Sequence, residues 1–242
     1  MTSLSGRGLK VLACAALAVL VQGCASTPAP GGGTPVNDPL EGFNRSMFNF
    51  NEKVDENVLK PVATGYKNTV PSPARTGITN FYNNFEDAWS AVNSLLQLKF
   101  ERAASDTMRV LVNTTLGFGG LLDWGSQMRL QRYNEDFGQT LGYWGVGEGP
   151  YVVWPLLGPS TARDSVALPL DLAVGPSLVV DNTAVSASLV ALNVVNTRAN
   201  LLDSSALLDD IVLDKYIFVR DGFLQRRRSL VHDGNPPEST QH

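Results

Sequence analysis

The apolar residues of this chain come in runs too short to cross a bilayer, which takes about 18 to 20 in succession as a helix. The longest candidates in its body, around 165–180 and 184–195, are cut by Pro169, Asp171, Pro176 and Asn193. The uncharged run from Val11 to Val21, behind Arg7 and Lys10, is also too short. A chain built this way must bury apolar surface by packing amphipathic segments together or by laying them along an interface.

The periodicity of those segments predicts helices. Asp38-Pro39 supplies an N-cap carboxylate and a first-turn proline. Phe43, Met47, Phe50, Val54 and Val58 follow at spacings of four, three, four and four, which makes one apolar stripe. Lys60-Pro61 marks its end or a kink. Beyond Pro71 and Pro73, a second stripe runs through Phe81, Phe85, Ala88, Val92 and Leu95. A third uses Phe100, Ala104, Met108 and Leu111 and stops near Gly117. Helical patterns return over 184–202 and from 206 to about 228. Glu135 and Asp136 read as first-turn helix residues. Tyr151 to Trp154 reads as one short strand, with no alternating runs from which to build a sheet. Gly145, Gly147 and Gly149 predict turns that need positive φ or a close backbone approach.

The N-terminus adds an address. Val21-Gln22-Gly23-Cys24 resembles the lipobox of bacterial lipoproteins, whose cysteine is acylated and becomes residue one. Val11-Leu12-Ala13-Cys14 is a rival, with almost no apolar run ahead of it. The expected layout is a signal peptide over 1–23, a lipid-anchored tether over 24–36, one domain over 37–233, and a polar, disordered tail over 234–242. Processing removes Cys14 and acylates Cys24, so packing alone must hold the domain together. Ala25 follows Cys24 where an Asp would signal inner-membrane retention, which favours the outer membrane.

Composition narrows the chemistry. The chain has 19 Lys and Arg against 23 Asp and Glu, and without Arg7 and Lys10 the balance is −6, which argues against nucleic acid. The histidines are His232 and His242, near the end, so a His triad, His metal site or His general base is hard to assemble. There is no Gly-x-Ser-x-Gly elbow, no Ser three residues before a Lys, and no P-loop or dinucleotide fingerprint. No catalytic residue, metal ligand or cofactor site is expected.

Motifs along almost the whole mature chain carry a resemblance. They are Asp38-Pro39-Leu40-Glu41-Gly42-Phe43-Asn44-Arg45, Pro73-Ala74-Arg75, and Asn113-Thr114 before Gly117. Asp136 to Gly142, Trp144 to Gly147, Gly149-Pro150-Tyr151 and Gly158-Pro159-Ser160 with Arg163-Asp164 follow in order. Asn196-Thr197-Arg198-Ala199 and Leu201-Leu202-Asp203 complete the set. In this order they resemble the MlaA/VacJ family of outer-membrane lipoproteins. The resemblance implies a mostly α, single-domain, ring-like bundle of amphipathic helices in the inner leaflet of the outer membrane. It also implies an amphipathic channel, association with a porin trimer, and delivery of mislocalised phospholipid to a soluble periplasmic carrier, with no cofactor.

The residues are compatible with such an object. Phe43, Met47 and Phe50 would supply a membrane-facing helix, against plain core packing. Arg45, Arg163 and Arg198 are the guanidiniums suited to a headgroup phosphate or a channel wall, against local pairing with carboxylates. Tyr143, Trp144, Tyr151 and Trp154 would suit an interfacial belt, against burial. Two rivals remain: a porin-associated structural lipoprotein without transport, and a lipid-acting hydrolase, which the missing motifs disfavour. Cys24→Ser should abolish incorporation of labelled fatty acid; continued labelling would place the lipid elsewhere.

Overall fold

Helix α1 (Glu41–Val54) runs through a π turn (Asp55–Leu59) into α2 (Lys60–Thr69). The chain is seen in a computed structural model that describes residues 38–178, 180–209 and 212–237. Cys24, the tether and residues 238–242 of the tail lie outside the described residues. Lys60-Pro61 does not end the helix. The Lys60 N–H donates to the Asp55 carbonyl, five residues back, and this wider turn takes up the register change next to the proline. Asp38 is not the N-cap either. Its carboxylate accepts from Asn44 Nδ2 at 2.9 Å and from the Tyr216 hydroxyl, and it lies 3.6 Å from Arg220 Nη1.

The remaining helices are α3 (Ser72–Leu96), α4 (Phe100–Thr115), α5 (Trp124–Gln127), α6 (Phe137–Tyr143), α7 (Ala162–Ala173), α8 (Thr183–Asp209) and α9 (Lys215–Val231). Short polar side chains start several of them. Asp123, Asp136, Thr161 and Asp214 each accept from a backbone N–H three residues on. Asp136 is thus the cap of α6 rather than a first-turn residue, and Glu135 is buried ahead of it, ion-paired with Lys99 and Arg102. Strand β1 (Tyr151–Trp154) has a partner after all: β2 (Gly158–Thr161) lies antiparallel, with Tyr151 opposite Thr161. The sequence of β2, Gly-Pro-Ser-Thr, carries no strand signal. The last two helices also shift: α8 continues to Asp209 across the break expected after Leu202.

The packing order closes on itself. α2 packs on α8, α8 on α3, α3 on α6, α6 on α7, α7 on β2, and β1 on α1, which leads back into α2. This circuit is the ring. α9 packs against α6 and β2, α4 packs on α3, and α5 packs on α4. Asn44 ties α1 to the hairpin: its Nδ2 donates to the Tyr151 carbonyl and its Oδ1 accepts from the Val153 N–H, both at 2.9 Å. One side-chain amide thereby satisfies the open edge of β1.

The interior is more polar than the rim. Among the described residues, 19 polar or charged residues are buried against 11 apolar ones, so apolar burial alone cannot be what holds the ring together. On α3 the buried face carries Asn84, Asp87, Ser90, Asn93 and Ser94, and on α4 it carries Asp106, Arg109 and Asn113. The apolar stripes of these helices point the other way: Val92, Leu95, Phe100, Met108 and Leu111 are all exposed. Periodicity locates a face but not the side it is turned to, and here the polar faces meet each other.

Charge pairs and hydrogen bonds hold most of that meeting, with Asn84 Oδ1 and Ser94 Oγ left unpartnered. Asp87, fully buried, accepts from Arg109 Nε at 3.1 Å and Arg132 Nε at 2.5 Å. Arg109 also reaches Asp123 at 3.1 Å. Ser90 donates to Asp106 at 2.5 Å, and Gln97, Thr140 and Asn93 continue the network at 2.8–3.1 Å. The small apolar core, Tyr151, Val153, Tyr216 and Leu224, sits elsewhere, below the hairpin, with Met47, Phe48 and Phe223 packed on it.

Asp87→Ala leaves two guanidiniums without their shared carboxylate, and removing one partner of a buried ion pair costs about 3–5 kcal/mol. Chemical denaturation in detergent should show a loss of that order. A second outcome concerns pH. Burial lifts the Asp106 carboxyl to about 6, while the Ser90 hydrogen bond opposes the rise. The folded chain then holds this proton more tightly than the unfolded chain, so the stabilisation is complete below about pH 4 and lost as pH rises to 6. The stability of wild type relative to Asp106→Asn should therefore fall from pH 4 to pH 6; a relative stability independent of pH would contradict it.

Candidate functional site

Between α3 and α8 lies a cleft of about 330 Å³. α3 contributes Thr79, Tyr82, Asn83 and Glu86, and α8 contributes Asn193, Asn196, Thr197, Asn200 and Leu201. On each helix the positions recur at three and four residues, so one polar stripe faces another. Thr79 Oγ1 accepts from Asn196 Nδ2 at 2.8 Å and Asn200 Nδ2 at 3.1 Å. The Tyr66 hydroxyl donates to Asn196 Oδ1 at 3.0 Å, and Arg75 Nη1 donates to Asn200 Oδ1 at 3.1 Å. Burial pushes the Tyr66 and Tyr82 hydroxyls above their ordinary value, so both stay protonated donors. The wall is rich in amides and hydroxyls, with exposed Leu201 and Val194 on the same helix. Its signal in the sequence is the Asn-Thr stripe at positions 193, 196, 197 and 200, which apolar periodicity does not register.

The outer surface is of opposite character. Leu98, Phe100, Met108, Leu111, Leu116 and Phe118 form an apolar wall around α4, with Phe100 66% and Phe118 78% exposed. Val166, Leu170 and Leu172 are exposed on α7 as well. Such an expanse is far larger than scattered surface apolar residues on a water-soluble chain. No described helix is long and apolar enough to cross a membrane.

The expected membrane helix is split by the structure. Phe43 and Phe50 are 47% and 44% exposed, whereas Met47 packs onto the core under the hairpin. The residues three and four apart straddle the edge of the helix rather than sharing its outer side. The aromatic set divides similarly. Tyr143, Trp144 and Trp154 are exposed, while Tyr151 is a core residue because β1 turns it inward onto Tyr216, ring centroids 6.2 Å apart. Burial raises its hydroxyl to about 12.

Each of the three singled-out arginines is held by a carboxylate. Arg45 reaches Glu41 at 2.7 Å and Asp214 at 3.1 Å, and its guanidinium lies 4.5 Å from the Tyr216 ring centroid. Arg198 grips both Asp55 oxygens at 2.7 Å and so fastens α8 to the π turn. Arg163 pairs with Asp164 at 3.0 Å and lines a second cavity of about 260 Å³ with Gly142, Arg227, Arg228 and His232. Arg227 there is tied to Asp136 at 2.5 Å and to Asp164 at 2.9 Å. Burial works to raise the Asp136 carboxyl, but the Arg227 guanidinium and the hydrogen bonds from Gln139 together hold the group below its usual range.

Of the three glycines, Gly145 and Gly149 have φ of +92° and +66°, and a Cβ on Gly149 would meet Ala162 Cβ at 2.8 Å. Gly147 has open space around it and no positive φ, so the expected backbone requirement does not apply there. Among the described residues, no group of His, Cys, Asp or Glu is arranged to hold a metal ion.

Comparison with known proteins places this architecture. The family model for the MlaA lipoprotein matches residues 36–230. The intermembrane phospholipid transport system lipoprotein MlaA of Escherichia coli (strain K12) is 40% identical over 232 residues, 93% of this chain and 90% of that protein. Its counterpart in Haemophilus influenzae is 32% identical over 236 residues, 93% of this chain and 91% of that protein. A solved chain from work on the structural basis for maintenance of bacterial outer membrane lipid asymmetry is 41% identical. It superposes with a TM-score of 0.70 over 81% of this chain and 99% of its own. The helical fold is thus shared with a solved protein, and the chain belongs to the MlaA lipoprotein family.

Proposed function

We propose that this chain is an outer-membrane lipoprotein that takes mislocalised phospholipid from the outer leaflet through the α3–α8 cleft, and so maintains lipid asymmetry. The observation that carries the reading is the inverted polarity: an apolar rim around a hydrogen-bonding interior. A phospholipid needs both, since its headgroup loses hydrogen bonds in hydrocarbon and its tails are unfavourable in water. The cleft offers amides and hydroxyls to the headgroup, with apolar side chains alongside for the tails. The names of the relatives support the same reading, because they describe an intermembrane phospholipid transport system.

Several finer parts of the proposal rest on family resemblance. Acylated Cys24 would anchor the ring to the inner leaflet of the outer membrane, through a tether whose twelve residues, 25–36, span up to about 40 Å. A porin trimer would be its neighbour in the membrane, and a soluble carrier would collect the lipid on the periplasmic side. No catalytic step is needed, because the lipid is moved and not altered.

Two experiments separate conduit from scaffold. Thr197→Trp, at an exposed lining position, fills the cleft without touching the apolar rim. It should raise outer-leaflet phospholipid to the level of a strain lacking the protein, at normal protein abundance. Normal lipid distribution in that strain would support a structural lipoprotein without transport. The rim is tested by removing residues 1–24 and measuring flotation with liposomes. The unacylated chain should still float, and Phe100→Asp with Leu111→Asp should abolish flotation, each charge in hydrocarbon costing about 2–3 kcal/mol. Flotation that depended wholly on the acyl group would contradict a membrane-seated ring.

A further inference from the structure

The α3 stripe that borders the cleft has opposite charges at its two ends. Arg75, Thr79, Tyr82 and Glu86 lie on one face, since eleven residues make three turns and about 16 Å of helix. Among the described residues, neither charged end has an ion-pair partner. Arg75 donates to Asn200 Oδ1, and its Nε is buried with nothing to donate to. Glu86 lines the cleft and accepts no hydrogen bond.

Its surroundings confirm that Glu86 is a surplus charge. The nearest guanidinium, Arg132, is already spent on the Asp87 carboxylate at 2.5 Å and on the Asn83 carbonyl at 2.6 Å. Asp87 and Asp123 together balance Arg109 and Arg132. Burial pushes the Glu86 carboxyl up, Arg132 opposes this, and Asp87 adds to it. Glu86 is nonetheless exposed at the cleft, whose lining includes no cationic side chain.

We propose that Glu86 receives the ammonium of a phospholipid headgroup, so that the cleft favours amine-bearing zwitterionic lipids over anionic lipids that lack an amine. This deepens the conduit reading and rests on it. An ammonium has three donors, and a carboxylate with no protein partner can accept them. A headgroup with negative charge alone meets repulsion at the same point. Arg75, three turns away, is too distant to bind the same headgroup at the same time. It forms a separate station for phosphate, equally available to both lipid classes.

The test uses the full-length acylated protein and vesicles of equimolar phosphatidylethanolamine and phosphatidylglycerol. After re-isolation in detergent, bound lipid is counted by mass spectrometry. Wild type should retain phosphatidylethanolamine over phosphatidylglycerol by about threefold to tenfold, the scale of one charge-assisted hydrogen bond in a partly wet cleft. Glu86→Gln should bring the ratio near one, and Glu86→Lys should invert it. Arg75→Gln should lower total lipid while keeping the preference. The same ratio in wild type and Glu86→Gln, with helix content unchanged by circular dichroism, would overturn the assignment of Glu86. A wild type that retains no lipid would overturn the conduit itself, and this inference with it.

Discussion

The buried ion pair of Asp87 with Arg109 and Arg132 is the interaction on which the remaining architecture depends. It joins α3 to α4 and to the segment after α5 through charge, where most helical proteins would use leucines. Buried charge is a poor source of net stability, and its desolvation is tolerated only when each group is fully paired. Here it frees the apolar faces of α3 and α4 from service as core. Those faces can then point outward, which a water-soluble chain could not allow. In a bilayer the arrangement is coherent, because lipid covers the rim and the polar network is shielded from competing water.

The same logic explains why no single apolar core spans the ring. Tyr151, Val153, Tyr216 and Leu224 form only a local cluster where α9 crosses the hairpin. Elsewhere contact is made by specific pairs: Arg198 on Asp55 and Lys67 on Asp203. Directional bonds of this kind fix the relative position of helices without filling the space between them. The α3–α8 cleft is one space left open in this way.

Much of the architecture was legible in the chain, and what was not has identifiable causes. The stripes through Phe81–Leu95 and Phe100–Leu111 correctly announced helices α3 and α4. Their assignment to an inner or outer side needs the solvent, which the sequence does not state. Strand β2 was invisible because Gly-Pro-Ser-Thr has no strand propensity and is held there by pairing with β1. Asp38 looked like a cap because Asp before Pro so often is one; a distant Tyr216 and Arg220 claimed it instead. Of the site, the arginines drew attention as headgroup ligands and proved to be braced by carboxylates. The cleft itself was written in asparagines and threonines, which carry no conspicuous chemistry one at a time.

The central claim, apolar rim in lipid and polar cleft in water, is most directly tested by collision of a spin label with oxygen and with a water-soluble nickel complex. The cysteines of the sequence are Cys14 and Cys24, and with both replaced by serine a single introduced cysteine reports cleanly. In membranes, a label replacing Leu111 should collide mainly with oxygen, and a label replacing Asn200 mainly with nickel. If the Leu111 label were as open to nickel as the Asn200 label, the rim would lie in water and the account would fail.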